Sequence, residues 1–387
     1  EANERESMYL VSEFAQKHFA EMLWETELGK AIGLTYFKER GFNHDTIKKF
    51  GLGYCLDQWD GFTKSALDQG YKLEYLEKTG LTIVKENPQN ANDPKKFDRF
   101  KGRVMFPIHS MSGRVLGFGG RILKNDKKAA KYQNSPESEI YHKSKVLYGI
   151  YYAKQAIAKE DNCFLVEGYT DVIQFHQRGI ENVVSSSGTA LTPEQIRLIN
   201  RLTKNITVLF DGDAAGLRAS LRGIDLILEQ GMNVKVCSFP EGEDPDSFAK
   251  NNELEEIESY LSENAKDFIQ FKANLLAKEA ANDPIKRADT VRDIVNSISK
   301  IPDGIKREIY IQECAGIMNV SEGVLFSTLA QITKKGRSEA SKSNEPEQKA
   351  FEVVKNEATV EKVDVQYELE RKIIEILLLY GGETEEF

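Results

Sequence analysis

Apolar residues near the start of the chain recur at three- and four-residue steps, as in Phe14, His18, Phe19, Met22 and Leu23. This spacing predicts helix from Ser7 to about Phe50. Residues 87–94 carry the Asn, Asp and Pro signals of a loop. Between 103 and 123 the pattern changes to VMFPI, an SGR turn and VLGFGGRIL, which predicts strands; the run GFGG (117–120) reads as a β turn near nucleic acid. From 161 to 240 four short β-rich runs, NCFLVE, ENVVSS, NITVLF and NVKVCSF, alternate with helix-like segments. Strand alternating with helix predicts a parallel sheet covered by helices. Thr192 and Pro193, ahead of EQIRLINRL, are helix-start signals. Beyond Asp246 the pattern is helical to about Ile332, then KKGRSEASKSNEPEQK reads as a flexible linker and ELERKIIEILLLY as a last helix.

The fold class expected is therefore α/β, or α+β taken as a whole. Its parts are a mixed α+β subdomain (1–160), a parallel-sheet domain (161–245), a helical subdomain (246–333), a linker (334–361) and the start of a truncated helical domain (362–387).

With 387 residues, 40% of them apolar, the chain can bury two or three domains. No apolar run approaches the roughly 20 residues of a membrane span, and no signal-peptide pattern stands at the start, so a cytoplasmic protein is expected. An opening at Glu1 without methionine fits an excised piece of a longer chain. Cys55, Cys163, Cys237 and Cys314 are too dispersed for a zinc knuckle or a disulfide framework, so buried thiols are expected. The net charge of −9 conceals an uneven distribution: residues 95–145 hold 13 Lys or Arg against 4 Asp or Glu. A basic region beside acidic elements suits a protein that grips phosphates on one face and metal ions on another.

The acidic elements are three motifs where predicted strands end. Glu167 follows FLV in VEGYTD, Asp211 and Asp213 follow ITVLF in LFDGDAAG, and Asp244 and Asp246 follow VKVCSF in EGEDPDSF. Ligands of open parallel sheets collect at the carboxyl ends of strands, so the five carboxylates are expected to share one cleft. Like charges gathered there need cations, and an all-oxygen donor set favours Mg²⁺ or Mn²⁺ over zinc. Gly168, Gly212 and Gly216 permit tight turns beside them.

At these residues the chain resembles the TOPRIM fold of primases, topoisomerases and some nucleases. A closer resemblance, from about Ser7 to about Val324, is to the bacterial replicative DNA primases of the DnaG type. It rests on RFKGRVMFPI (99–108), GRVLGFGGR (113–121), KYQNSPES (131–138), YHKSKVLYG (141–149), EGYTDVI, SSSGTALT, LFDGDAAG and EGEDPDSF in the family order. The family usually has Leu where Gln133 stands.

The resemblance implies synthesis of short RNA primers on single-stranded DNA by two-metal nucleotidyl transfer. Glu167, Asp211 and Asp213 would be catalytic and metal-binding, with Asp244 and Asp246 completing the metal set. Arg103, Arg121, Lys131, Asn134 and Lys143 would bind template backbone or nucleotide phosphates. Implied partners are single-stranded DNA, NTPs, the RNA–DNA hybrid and, through a missing carboxyl-terminal region, the replicative helicase. The family's zinc-binding domain precedes this region, so no zinc is expected here.

The aromatic residues Phe97, Phe100, Tyr132 and Tyr141 are candidates for stacking on bases, although Phe100, Phe106 and Phe118 also read as core. His109, His142 and His176 lack partners at ligand spacing and read as structural or surface residues. The rival functions are a TOPRIM nuclease or topoisomerase, for which Tyr169 would be the candidate nucleophile, and a non-catalytic DNA-binding scaffold.

Overall fold

In a computed structural model of the chain, described for residues 2–88, 90, 94–124, 129–188, 190–210, 214–280 and 283–343, the first feature is a helix, Ala2–Glu25. Its inward positions, among them Val11, Ala15 and Phe19, pack on Phe62, Met105 and Phe118. A π-helical turn, Gly29–Leu34, leads straight into the short helix Thr35–Glu39. Gly41, at φ +90°, ends that helix in the left-handed conformation that glycine tolerates.

Eleven strands are described, in three sheets. Strands β1 (Gly53–Cys55), β4 (Arg103–His109), β5 (Val115–Ile122) and β6 (Tyr132–Asn134) form an antiparallel sheet in the order β1-β4-β5-β6. Strands β2 (Thr82–Lys85) and β3 (Lys95–Asp98) form a separate antiparallel pair. The third sheet has the order β11-β10-β9-β7-β8, from β7 (Cys163–Val166), β8 (Val183–Ser185), β9 (Asn205–Phe210), β10 (Asn233–Ser238) and β11 (Lys266–Asp267). Neighbours within β10, β9, β7 and β8 run parallel, as the alternation of strand and helix predicts, and β11 pairs antiparallel at the edge.

Alternate side chains divide the parallel sheet between two cores. Cys163, Leu165, Ile206, Val208, Phe210, Val234 and Val236 face one, with residues of the helices Ile150–Glu160, Ala214–Glu229 and Phe268–Ala280. Val166, Leu209 and Cys237 face the other, with Phe175, Phe248 and Phe106 of the antiparallel sheet. The four cysteines are free and buried.

The glycine run 117–120 lies inside β5 and is not the β turn expected. Its glycines admit neighbouring side chains: a Cβ at Gly119 would stand 2.5 Å from the Tyr169 ring, and one at Gly120 would stand 2.7 Å from Phe100. The helix Glu322–Ser343 continues past residue 334, where the sequence predicts a linker.

Candidate active site

The parallel sheet brings strand ends into line. Leu165 pairs with Val208, Val166 with Ser185, and Ser238 with Phe210. Glu167, the loop opening with Ser186 and Ser187, and the residue preceding Asp211 therefore share one edge. Glu167 is exposed, and its carbonyl accepts a 2.7 Å hydrogen bond from Ser185 Oγ. The next residue, Gly168, opens the helix Tyr169–Gln177, its N–H donating at 2.9 Å to Asp171 Oδ2. Asp211 and Asp213 lie outside the described residues.

Asp244 and Asp246 follow β10 in unlike settings. Asp244 is exposed and caps the helix Pro245–Asn251, its Oδ1 accepting from the Ser247 N–H at 2.7 Å. Asp246 is 7% exposed. Its Oδ2 is ion-paired with Arg40, and its Oδ1 is buried without a hydrogen-bond partner. Burial pushes this carboxyl above the usual carboxylate range, Asp244 adds to the effect, and Arg40 opposes it. The Arg40 guanidinium loses by burial but gains more from Tyr36, Asp246 and Tyr132, and is held above its ordinary value.

The predicted cations have unlike surroundings. The Arg121 guanidinium lies 4.7 Å from the Tyr36 ring centre and 5.9 Å from that of Tyr132. Lys131 is exposed. Asn134, Lys143, Ser186, Ser187 and Tyr148 line a cavity of about 10 Å³, so three separate sequence motifs meet there. Asn134 Nδ2 donates to the Ser187 carbonyl at 3.3 Å, and its Oδ1 accepts from the Tyr169 hydroxyl at 2.5 Å. Lys143 is anchored by its backbone: its N–H donates to Glu137, and its carbonyl accepts from Gln195.

Arg103 is placed differently. It is 6% exposed, and its Nη1 donates to the carbonyls of Gly120, Ala130 and Lys131 at 3.0–3.3 Å. This buried guanidinium thus fixes the approach to β6 through carbonyls. Phe100 and Tyr141 are likewise buried, whereas Tyr132 is 38% exposed. His109 and His176 are buried, and the exposed His142 lies 3.1 Å from Glu137.

Sequence reasoning missed two groups. Tyr36 and Arg40 reach the acidic edge from the amino-terminal helices, and the only trace in the sequence was their i, i+4 spacing. Trp59, 57% exposed, has Lys101 Nζ 4.5 Å from its ring and the Phe97 ring at 5.2 Å, with Lys85 Nζ 5.3 Å from Phe97. An exposed tryptophan against a half-buried phenylalanine, flanked by lysines, suits stacked bases and their phosphates.

Among the described residues no three His, Cys, Asp or Glu side chains converge to hold a metal. The acidic edge nevertheless fits a hard divalent cation: its donors are carboxylate oxygens, and the orphaned Oδ1 of Asp246 is a buried acceptor in want of a partner.

Comparison with known proteins gives the family. Residues 18–154 match the family described as the DNA primase catalytic core, N-terminal domain; residues 164–249 match a Toprim-like family; residues 270–323 match the DnaB-helicase binding domain of primase. The last match falls on helices that the sequence assigns to the helical subdomain. The DNA primase of Halalkalibacterium halodurans is 36% identical over 320 residues, covering 82% of this chain and 52% of that protein. That of Clostridium acetobutylicum is 36% identical over 314 residues, 80% of this chain and 50% of that protein. The chain thus spans about half the length of these relatives. Among solved structures, a DNA primase domain from Pseudomonas aeruginosa matches with TM-score 0.73 and 31% identity, over 84% of this chain and 99% of that one. A DnaG primase catalytic domain bound to single-stranded DNA matches with TM-score 0.70 and 32% identity, over 82% of this chain and all of that one. Motif order, the parallel sheet with its acidic edge and these likenesses lead to one assignment: the chain belongs to the DnaG-type DNA primase family and comprises its catalytic core with a Toprim domain.

Proposed function

We propose that this chain synthesises short RNA primers on single-stranded DNA from NTPs. The observation that supports the reading is that the loop of Ser186 and Ser187, which shares the carboxyl edge of the parallel sheet with Glu167, lines one cavity with Asn134 and Lys143. Glu167, Asp211, Asp213, Asp244 and Asp246 would hold Mg²⁺ or Mn²⁺, two ions in the fullest form. When bound, such ions lower the pKa of the attacking 3′-hydroxyl and neutralise the departing pyrophosphate. The chain's own cations bind and orient phosphates: Arg121, braced on two tyrosine rings, and the side chains of Lys131 and Lys143. Asn134, held by Tyr169, offers a fixed amide beside them. Trp59 and Phe97 give the template a stacking surface, and the RNA–DNA hybrid would form between these features.

By its relatives' roles, the chain would work in the cytoplasm at the replication fork, with helicase contact through helices in 270–323. A topoisomerase reading is disfavoured because Tyr169 is buried with its hydroxyl committed to Asn134, and burial raises its pKa further.

The test uses single-stranded DNA, labelled NTPs and Mg²⁺ or Mn²⁺, with Glu167→Gln and Asp211→Ala alongside. Short RNA from the unaltered chain alone is expected on a denaturing gel. If none forms even when the family's zinc-binding module is added, the proposal fails; nicked DNA in its place would favour a nuclease.

A further inference from the structure

The helix Thr35–Glu39 lies far from the acidic motifs in sequence, yet the residue that ends it touches one of them. Tyr36 and Arg40 are four residues apart, so their side chains lie on one side of the helix. Arg40 Nε donates to the Tyr36 hydroxyl at 3.1 Å, and its Nη1 is ion-paired with Asp246 Oδ2. The Tyr36 ring stands 5.8 Å from the Arg40 guanidinium and 4.7 Å from that of Arg121. One ring is therefore shared by two guanidinium groups. The first neutralises a candidate metal ligand; the second is a candidate phosphate binder.

The Arg40–Asp246 pair is not built as a structural anchor would be. Asp98 is such an anchor: it is 3% exposed and accepts from the Phe62 N–H, the Thr63 N–H and the Thr63 hydroxyl, using both oxygens. Asp246 has one oxygen on Arg40 and the other buried with no partner. Leaving a buried acceptor unmet is costly, and a fixed cation beside a carboxylate opposes the approach of a divalent ion. Both features make sense if the pair is one state of an exchange. The Arg40 side chain remains 29% exposed, so it has room to leave.

We propose that Arg40 is a positioning residue which serves as counter-ion to Asp246 until a divalent cation arrives. It then turns on Tyr36 to meet the phosphates of the incoming nucleotide beside Arg121. The inference rests on the reading of Asp246 as part of a metal-binding edge. Its consequence is order: metal binding frees the second arginine of the nucleotide site, so the site is complete only once the ion is in place.

Mn²⁺ binding to the whole chain, followed by electron paramagnetic resonance without nucleotide, tests this apart from turnover. Removing the competing charge in Arg40→Gln should tighten Mn²⁺ binding roughly fivefold, whereas Arg40→Lys should stay near the unaltered value. In an Asp246→Asn background, Arg40→Gln should produce no tightening. In primer synthesis, Arg40→Gln should raise the KM for NTP roughly tenfold, with a smaller change in kcat. Tyr36→Phe deletes only the hydroxyl that restrains Arg40 and should shift Mn²⁺ binding the same way, roughly twofold; it carries the test if Arg40→Gln does not fold. Unchanged or weaker Mn²⁺ binding in a folded Arg40→Gln chain would overturn the exchange and leave Arg40 a structural partner. If Asp246→Asn alone leaves Mn²⁺ binding unaltered, the metal-edge reading falls instead.

Discussion

The Tyr169 hydroxyl donates to Asn134 Oδ1 at 2.5 Å, tying the helix that begins two residues after Glu167 to strand β6 of the other sheet. The Tyr169 ring stacks on Phe106, centres 5.2 Å apart and planes 10° from parallel, above the space that Gly119 leaves. Tyr169→Phe should keep this packing and lose the bond, costing about 1 kcal/mol in urea unfolding. Asn134 would then lose its restraint, so the KM for NTP should rise severalfold while kcat changes less. A tyrosine nucleophile would behave otherwise: the phenylalanine variant would lose all strand cleavage, and that result would revive the topoisomerase reading.

Arg103 and its neighbouring lysines should separate in a salt titration. Arg103→Ala removes the donor to three carbonyls and should destabilise the fold by about 2–3 kcal/mol, with the salt dependence of DNA binding nearly unchanged. Lys131→Ala and Lys143→Ala should leave stability within about 0.5 kcal/mol. Each should reduce the slope of log affinity against log salt by about 1. Fluorescence anisotropy of a labelled single strand across salt concentrations reads both effects. A shallower slope in Arg103→Ala would return that residue to the phosphate contacts.

These two cases show what the sequence could and could not convey. The four β-rich runs of 161–240 were legible as parallel strands because each is a short apolar stretch bounded by helix signals, and the strand ends then place the acidic motifs. The hairpin Thr82–Lys85 with Lys95–Asp98 was not, because it is short and half-polar: its apolar residues Ile83 and Val84 are adjacent and, like Phe97, only half-buried, so no alternation declares a face. Charge type was legible and burial was not. Arg103 and Arg121 stand in similar motifs, yet backbone carbonyls surround the first and tyrosine rings the second. Arg40 went unnoticed because its partner Asp246 lies 206 residues away, and no local pattern encodes such a pair.

Trp59 offers a direct probe of template binding. It is exposed, tilted at 42° against the Phe97 ring and covered by Lys101, so in a Trp24→Phe background its fluorescence should be quenched when single-stranded DNA is added. Trp59→Ala should weaken that binding by about 1–3 kcal/mol and lower unfolding stability by no more than about 1 kcal/mol, since more than half of the side chain is already exposed. Tight binding retained by Trp59→Ala would remove the hairpin from the template path.

Stability should fall between neutral and mildly acid pH because of two buried histidines on either side of Tyr152. Ring centres of His109 and His176 lie 5.6 and 6.4 Å from that of Tyr152. Burial lowers the pKa of each from 6.5 to about 4; at His176, Lys49 adds to the shift and Glu181 opposes it. As pH drops through 6.5, the unfolded chain takes up these protons while the folded chain refuses them until about 4. Their contribution is thus complete above 6.5 and lost progressively from 6.5 down to 4, by roughly 3 kcal/mol for each histidine. Urea midpoints measured from pH 7.5 to 4 should follow this course. His176→Phe, which keeps an aromatic ring against Phe50, should remove about half of the pH-dependent loss. An unaltered slope in that variant would show that His176 titrates normally in the folded chain, and that Glu181 offsets both the cost of burial and the repulsion from Lys49.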